Sequence, residues 1–252
     1  MTNQQNQSKE INKALEKYKK QIQLALPSNM DAGRMKRIVM TELSKNERLQ
    51  ECSITSVCAA VIQCAQLGLE PGELLGHAYL IPYKKECQFQ LGYRGMIELA
   101  RRSGEIISIC AQVVMENDLF EFEFGIHDDL RHVPAKTNRG DIVAAYAVAK
   151  LKGGGYQFDV MWRDEVDSIR DLSKSAKMDF SPWHTNYAEM AKKTVIRRIF
   201  KYLPISIEAQ KALRLDDFSE MGKQDLTAEF NIVEETKNEV KTKASDLAEI
   251  IK

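Results

Sequence analysis

Lys193, Arg197 and Lys201 recur every four residues late in a chain of 252 residues, with Lys192 and Arg198 flanking them. At 100° per residue they form one stripe along a helix. A row of cations at that spacing suits one task above others, which is to hold the phosphates of a polyanion. Glu189 is the only acid between Trp183 and Pro204. A helix that merely faces water usually interleaves both signs in i,i+4 pairs. The stretch therefore reads as a helix that packs one side on a core and offers uncompensated cations on the rest. Arg94, Arg101 and Arg102 form a second basic set around Glu98. They are either another contact surface or a salt-bridge network along one helix. Lys84 and Lys85 stand at a hairpin tip. Tyr93, Trp183, Phe200 and Tyr202 are the aromatic candidates for stacking bases, although core packing suits Trp183 and Phe200 better.

Other chemistries find less support. A metal-dependent nuclease or other phosphoryl-transfer enzyme needs clustered carboxylates. The dense acids are Asp128 with Asp129, and Asp164, Glu165 and Asp167. Neither group has a strand-borne Glu-x-Lys beside it, and Asp164 to Asp167 fits the acidic first turn of a helix. His127, Asp128, Asp129 and His132 lack the spacing of a ligand set and read as part of a polar loop over residues 127–139. Gly153-Gly154-Gly155 is not followed by the lysine and helix of a phosphate loop, and reads as a hairpin turn. The residues thus name no catalytic group, metal or cofactor. A third reading is an adaptor whose basic face meets an acidic partner.

Composition is that of a globular protein, with 44% hydrophobic and 29% charged residues. Net charge is zero, from 36 basic and 36 acidic residues, but it is unevenly spread. From Leu215 onward there are five Lys and ten Asp or Glu, which leaves 31 basic against 26 acidic residues in the first 214. A basic body offset by an acidic tail points to nucleic-acid contact or an interaction tail. Cys52, Cys58, Cys64, Cys87 and Cys110 sit in apolar runs without a CxxC, so they read as reduced core thiols of a cytoplasmic protein. Neither a signal peptide nor a membrane-spanning run is expected.

The elements that must position these residues follow from periodicity. Residues 1–9 read as a disordered start, and 10–215 as the core domain. Helical spacing runs over Lys9–Leu26 and again to Leu49, with Asn29 or Asp31 as the second cap. Ser53 opens a nearly apolar central helix that Gly68 ends. Alternation predicts strands at Gly76–Pro82, Cys87–Gly92, Ile106–Met115, Leu119–Phe124, Ile142–Leu151 and Tyr156–Trp162. Helices are expected over Tyr93–Gly104, Asp164–Ser173, Trp183–Leu203 and Ile205–Leu215. A loop carrying Lys174 and Lys177 precedes the basic helix. The fold class is α+β: a central antiparallel sheet of hairpins packed with the long core helix and the basic helix. Residues 216–252 read as an acidic linker and a small partner-seeking helix, Glu239–Ile251.

The motifs GLEPG…LGHAYLIPY, LGYRGMIELARRSG, Val114-x-x-x-Asp118 and W…EMAKKTVIRRIFKYLP, in this order across most of residues 50–205, resemble the RecT family of phage single-strand annealing proteins, distantly similar to lambda Red beta. The resemblance implies a mixed α/β core and ATP-independent annealing of complementary single-stranded DNA through an annealed duplex intermediate. It also implies ring or helical-filament homo-oligomers in the cytoplasm of a host bacterium. A phage exonuclease or host single-strand-binding protein would engage the C-terminal segment.

Overall fold

The computed structural model describes residues 3–173, 176, 181–221 and 224. Lys174, Lys177, the acidic linker and the expected helix at Glu239–Ile251 lie outside them. The chain divides into two compact units, one of residues up to Leu91 with Gln224, the other Gly92–Met221.

The first unit is built around α5 (Ile54–Leu67), buried on nearly every side as its apolar sequence predicts. Ser53 Oγ accepts the Ser56 N–H at 3.2 Å to cap its start, and Gly68 ends it with φ 60°. Helices α1 (Asn3–Lys17) and α2 (Lys19–Ala25) pack on it, and α3 (Ala32–Lys45) and the short α4 (Glu47–Gln50) pack on those in turn. They bring Ile11, Leu15, Ile22, Met35, Val39 and Leu43 inward. Asp31 is the cap of α3, accepting the Arg34 N–H at 2.7 Å. Helix α1 starts at Asn3, inside the stretch expected to be disordered.

Strands β1 (Ala78–Tyr83) and β2 (Glu86–Leu91) form an antiparallel hairpin beside α5. Gln88, polar and alternating with the apolar Cys87, Phe89 and Leu91, is nonetheless only 5% exposed. Gln224 bonds twice to the β2 backbone, accepting the Phe89 N–H at 2.7 Å and donating to its carbonyl at 2.9 Å.

The second unit is a layered α+β body. Strands β3 (Ile106–Met115), β6 (Ile142–Leu151) and β7 (Tyr156–Trp162) form an antiparallel sheet in the order β3-β6-β7, with the bounds that alternation predicts. Gly154, at φ 89°, makes the turn between β6 and β7 possible. Side chains alternate across a strand, so the sheet has two different faces. On one, Val114, Tyr146, Phe158 and Val160 meet Phe120 and Phe122 of β4 (Leu119–Glu123), which pairs with β5 (Asp129–Val133). Strand β5 forms within residues 127–139, where a polar loop is expected from the sequence. On the other face, Ala145, Ala147 and Ala149 are fully buried, and their small size lets helix α9 (Tyr187–Ile199) lie close against the sheet. The remaining helices are α6 (Tyr93–Arg101), α7 (Arg163–Leu172), α8 (Pro182–Thr185) and α10 (Ile207–Glu220). The expected single helix from Trp183 breaks at Asn186 between α8 and α9, and a 3-10 turn at Phe200–Tyr202 follows α9.

Candidate nucleic-acid interface

Helix α9 is enclosed far more than its sequence suggests. Beyond the sheet it touches α6, α7 and α8. Ala191, Val195, Ile196 and Ile199 are buried, and so is Lys193, at 8% exposure. The expectation of uncompensated cations is therefore corrected. Lys193 Nζ lies 3.3 Å and Arg197 Nη1 3.1 Å from the same Asp216 oxygen, and Asp216 is wholly buried. Arg197 also pairs with Asp217. Arg198 reaches Asp159 at 2.9 Å and Glu165 at 2.7 Å. Lys192 pairs with Glu189. Burial pushes the Asp159 carboxyl above its ordinary value, with Arg198 pulling the other way. Apart from Glu189, the balancing acids come from β7, α7 and α10, so no spacing within the helix could reveal them. Of the five cations, Lys201 alone is exposed, in the turn after α9, while the others are buried or half-buried.

The other basic residues are more accessible. On α6, Gly95, Met96, Leu99 and Ala100 face inward, leaving Arg94 and Arg101 near the middle of the outer face. Arg102 is exposed too and donates to Glu98 at 3.2 Å, so the salt-bridge reading holds for that pair. Helix α6 packs on β3, α9 and α10. In the first unit, Lys84 and Lys85 are exposed at the tip of the β1–β2 hairpin. Lys84 has φ 56°, a left-handed backbone that glycine usually takes at such a turn. The tip is pinned, because the Ser53 N–H donates to the Lys85 carbonyl at 2.7 Å.

Among the aromatic candidates, Tyr202 is 67% exposed and Tyr93 half-buried. Trp183 and Phe200 are 5% and 2% exposed, so both are core residues and cannot stack on bases in this fold. The acids weighed for metal chemistry are occupied otherwise. Glu165 accepts the Trp162 N–H at the start of α7, and Asp167 accepts the Tyr187 hydroxyl at 2.8 Å. Burial and that hydrogen bond push the Tyr187 phenol up to about 12. Asp128 accepts the Gly125 N–H at 2.6 Å.

His132 belongs to β5 and points inward, 3.0 Å from Asp118 and 3.2 Å from the Tyr146 hydroxyl. Asp118, whose side chain has no exposed surface, is the hub of that cluster. Its oxygens accept the Met115 and Ala135 N–H groups at 2.9 and 2.8 Å, and Arg139 donates through Nε at 3.0 Å and Nη2 at 2.5 Å. The Arg139 guanidinium, helped by the two N–H groups and His132 and opposed by burial, holds the Asp118 carboxyl well below the usual carboxylate range. The sequence marked Asp118 only as one letter of a motif. Its partners Ala135 and Arg139 fall in what looked like a plain loop.

This is an α+β protein with exposed basic residues on α6 and at a hairpin tip. Among the described residues no helix is long and apolar enough to cross a membrane, and no group of three or more His, Cys, Asp or Glu could hold a metal ion. The RecT family model matches residues 33–233, and the chain belongs to the RecT family. It is 47% identical over 229 residues to Protein RecT of Escherichia coli (strain K12), covering 86% of this chain and 84% of that protein. It is also 29% identical over 180 residues to the uncharacterized protein YqaK of Bacillus subtilis (strain 168), covering 71% of this chain and 62% of that one.

Proposed function

We propose that this protein binds single-stranded DNA and anneals complementary strands in phage recombination, without nucleotide hydrolysis. The observation that carries this reading is membership of the RecT family over most of the chain. Annealing asks for little catalytic machinery. Two phosphate chains repel, and cations along one of them release counterions and lower that barrier. The bases supply the driving force, about 1.4 kcal/mol per stacked step. The protein has to grip the backbone and leave the pairing edges free, which favours Lys and Arg contacts over base-reading amides.

The exposed cations Arg94, Arg101, Arg102 and Lys201, with Lys84 and Lys85 at the hairpin tip, are the proposed phosphate contacts. Tyr202 is the proposed stacking platform. A few contacts per protomer bind weakly, and repetition along a strand multiplies them. A homo-oligomer, ring or filament, is therefore part of the proposal, and the C-terminal segment is left for an exonuclease or a host single-strand-binding protein. The test is a pairing assay with two labelled complementary oligonucleotides, with Mg²⁺ and without ATP. Faster pairing of intact strands supports annealing. Degradation would support a nuclease, and no binding at low salt would support an adaptor.

A further inference from the structure

Helix α10 covers the cations of α9 in an unusual way. Asp216, with no exposed surface, offers one oxygen to both Lys193 and Arg197, and the neighbouring Asp217 takes the other side of the Arg197 guanidinium. Two convergent cations on one oxygen make an anion site, and here the occupant is the chain's own carboxylate. A phosphodiester presents the same charge and similar oxygens, and a guanidinium grips either one through paired N–H groups.

The rest of the α10 contact is thin. The residues it fully buries are Ala209, Ala212, Asp216 and Ser219, with Leu213 and Leu215 half-covered. Several of its large apolar side chains point away, Ile207 80% and Phe218 50% exposed, and Met221 just past its end is 52% exposed. An element that buries alanines and a carboxylate rather than leucines and phenylalanines belongs to the low-stability end of a fold. Its attachment leans on ion pairs that a polyanion can replace.

We propose that α10 is a strap displaced by nucleic acid: Asp216 and Asp217 fill an anion site formed by Lys193 and Arg197, and a phosphate chain takes that site when α10 lifts. The proposal rests on the nucleic-acid reading above and deepens it. It gives the buried cations of α9 a role that the closed fold denies them. It also makes the apparent affinity depend on the fraction of molecules with the strap open.

Hydrogen exchange on the full chain, with and without saturating poly-dT, tests this directly. The expected result is that amides of residues 209–219 exchange roughly tenfold or more faster in the bound chain, while those of α9 do not. Asp217→Asn, at an exposed carboxylate, and Asp216→Asn should each tighten poly-dT binding, together by roughly tenfold at fixed salt. If Asp216→Asn fails to fold, Asp217→Asn and the exchange data on the unaltered chain decide. Bound chains whose α10 amides are as protected as before, or more so, overturn the strap and leave the annealing reading standing. A chain that binds no poly-dT removes the nucleic-acid reading itself.

Discussion

Replacing Asp118 with alanine removes the one group on which a strand end, a loop and the base of the β4–β5 hairpin all converge. The Met115 and Ala135 N–H groups lose their acceptor, and so does the Arg139 guanidinium, whose side chain is 36% exposed and can turn to water. Two partly buried donors left unpaired, plus loss of a buried ionic hydrogen-bond partner, put the cost at about 3 kcal/mol. For a unit of this size that is a fall in Tm of about 10 °C. Asparagine is no rescue, because each Asp118 oxygen accepts both a backbone N–H and an Arg139 N–H. Whichever way an amide is turned, its NH₂ faces donors. Both tryptophans, Trp162 and Trp183, lie in the second unit, so fluorescence-detected melting isolates the transition of interest. The substitution should also change the acid limb of stability. The folded carboxyl titrates well below its ordinary value. Its stabilisation is complete above about pH 4 and drains away as pH falls further, because the unfolded chain then takes up a proton that the folded one refuses. Asp118→Ala should lack that component. A variant melting within a degree or two of the parent, with the same acid limb, would refute the account of this cluster.

Other outcomes are expected. Arg101→Ala and Lys201→Ala should weaken oligonucleotide binding across all sequences and flatten its salt dependence, each by about 0.7 in the log–log slope, while melting as the parent does. Lys193→Ala should also cost about 2 kcal/mol of stability by leaving Asp216 with one fewer buried partner, measured by denaturant titration. Phe200→Ala should cost about 3–5 kcal/mol as a core cavity, whereas Tyr202→Ala should leave melting unchanged and weaken strand binding. A thiol reagent at neutral pH should modify Cys110 fast and the other cysteines slowly. Cys110 is exposed and the others are buried, with burial pushing Cys52 to about 11 and Cys58 to about 12. Equal reactivity of all five would count against that packing.

Much of the architecture was legible because burial there is one-sided or complete. Strands β3, β6 and β7 read as apolar-rich runs of strand length bounded by turn signals, and α5 has its cap at Ser53, its stop at Gly68 and a nearly apolar surface. Strand β5 escaped because Asp129, Arg131 and Val133 face water, while its inward pair, Leu130 and His132, includes a residue that looks polar. His132 is inward only because Asp118 and Tyr146 receive it. The basic helix misled for a related reason. Asp159, Glu165 and Asp216 lie far along the chain from the cations they balance, and one helix's own sequence carries no trace of such partners. Cys110 sits in an apolar run, yet its turn in the alternation leaves it uncovered.

The doubled bond between Gln224 and Phe89 has a practical side. An amide side chain there imitates one more strand, occupying the donor and acceptor that the outer margin of β2 would otherwise present. Unclaimed strand margins invite other chains to pair with them. Shortened versions that stop at Met221, a natural place to cut after α10, would shed this cover. They should be stickier in concentrated solution than versions that keep the glutamine.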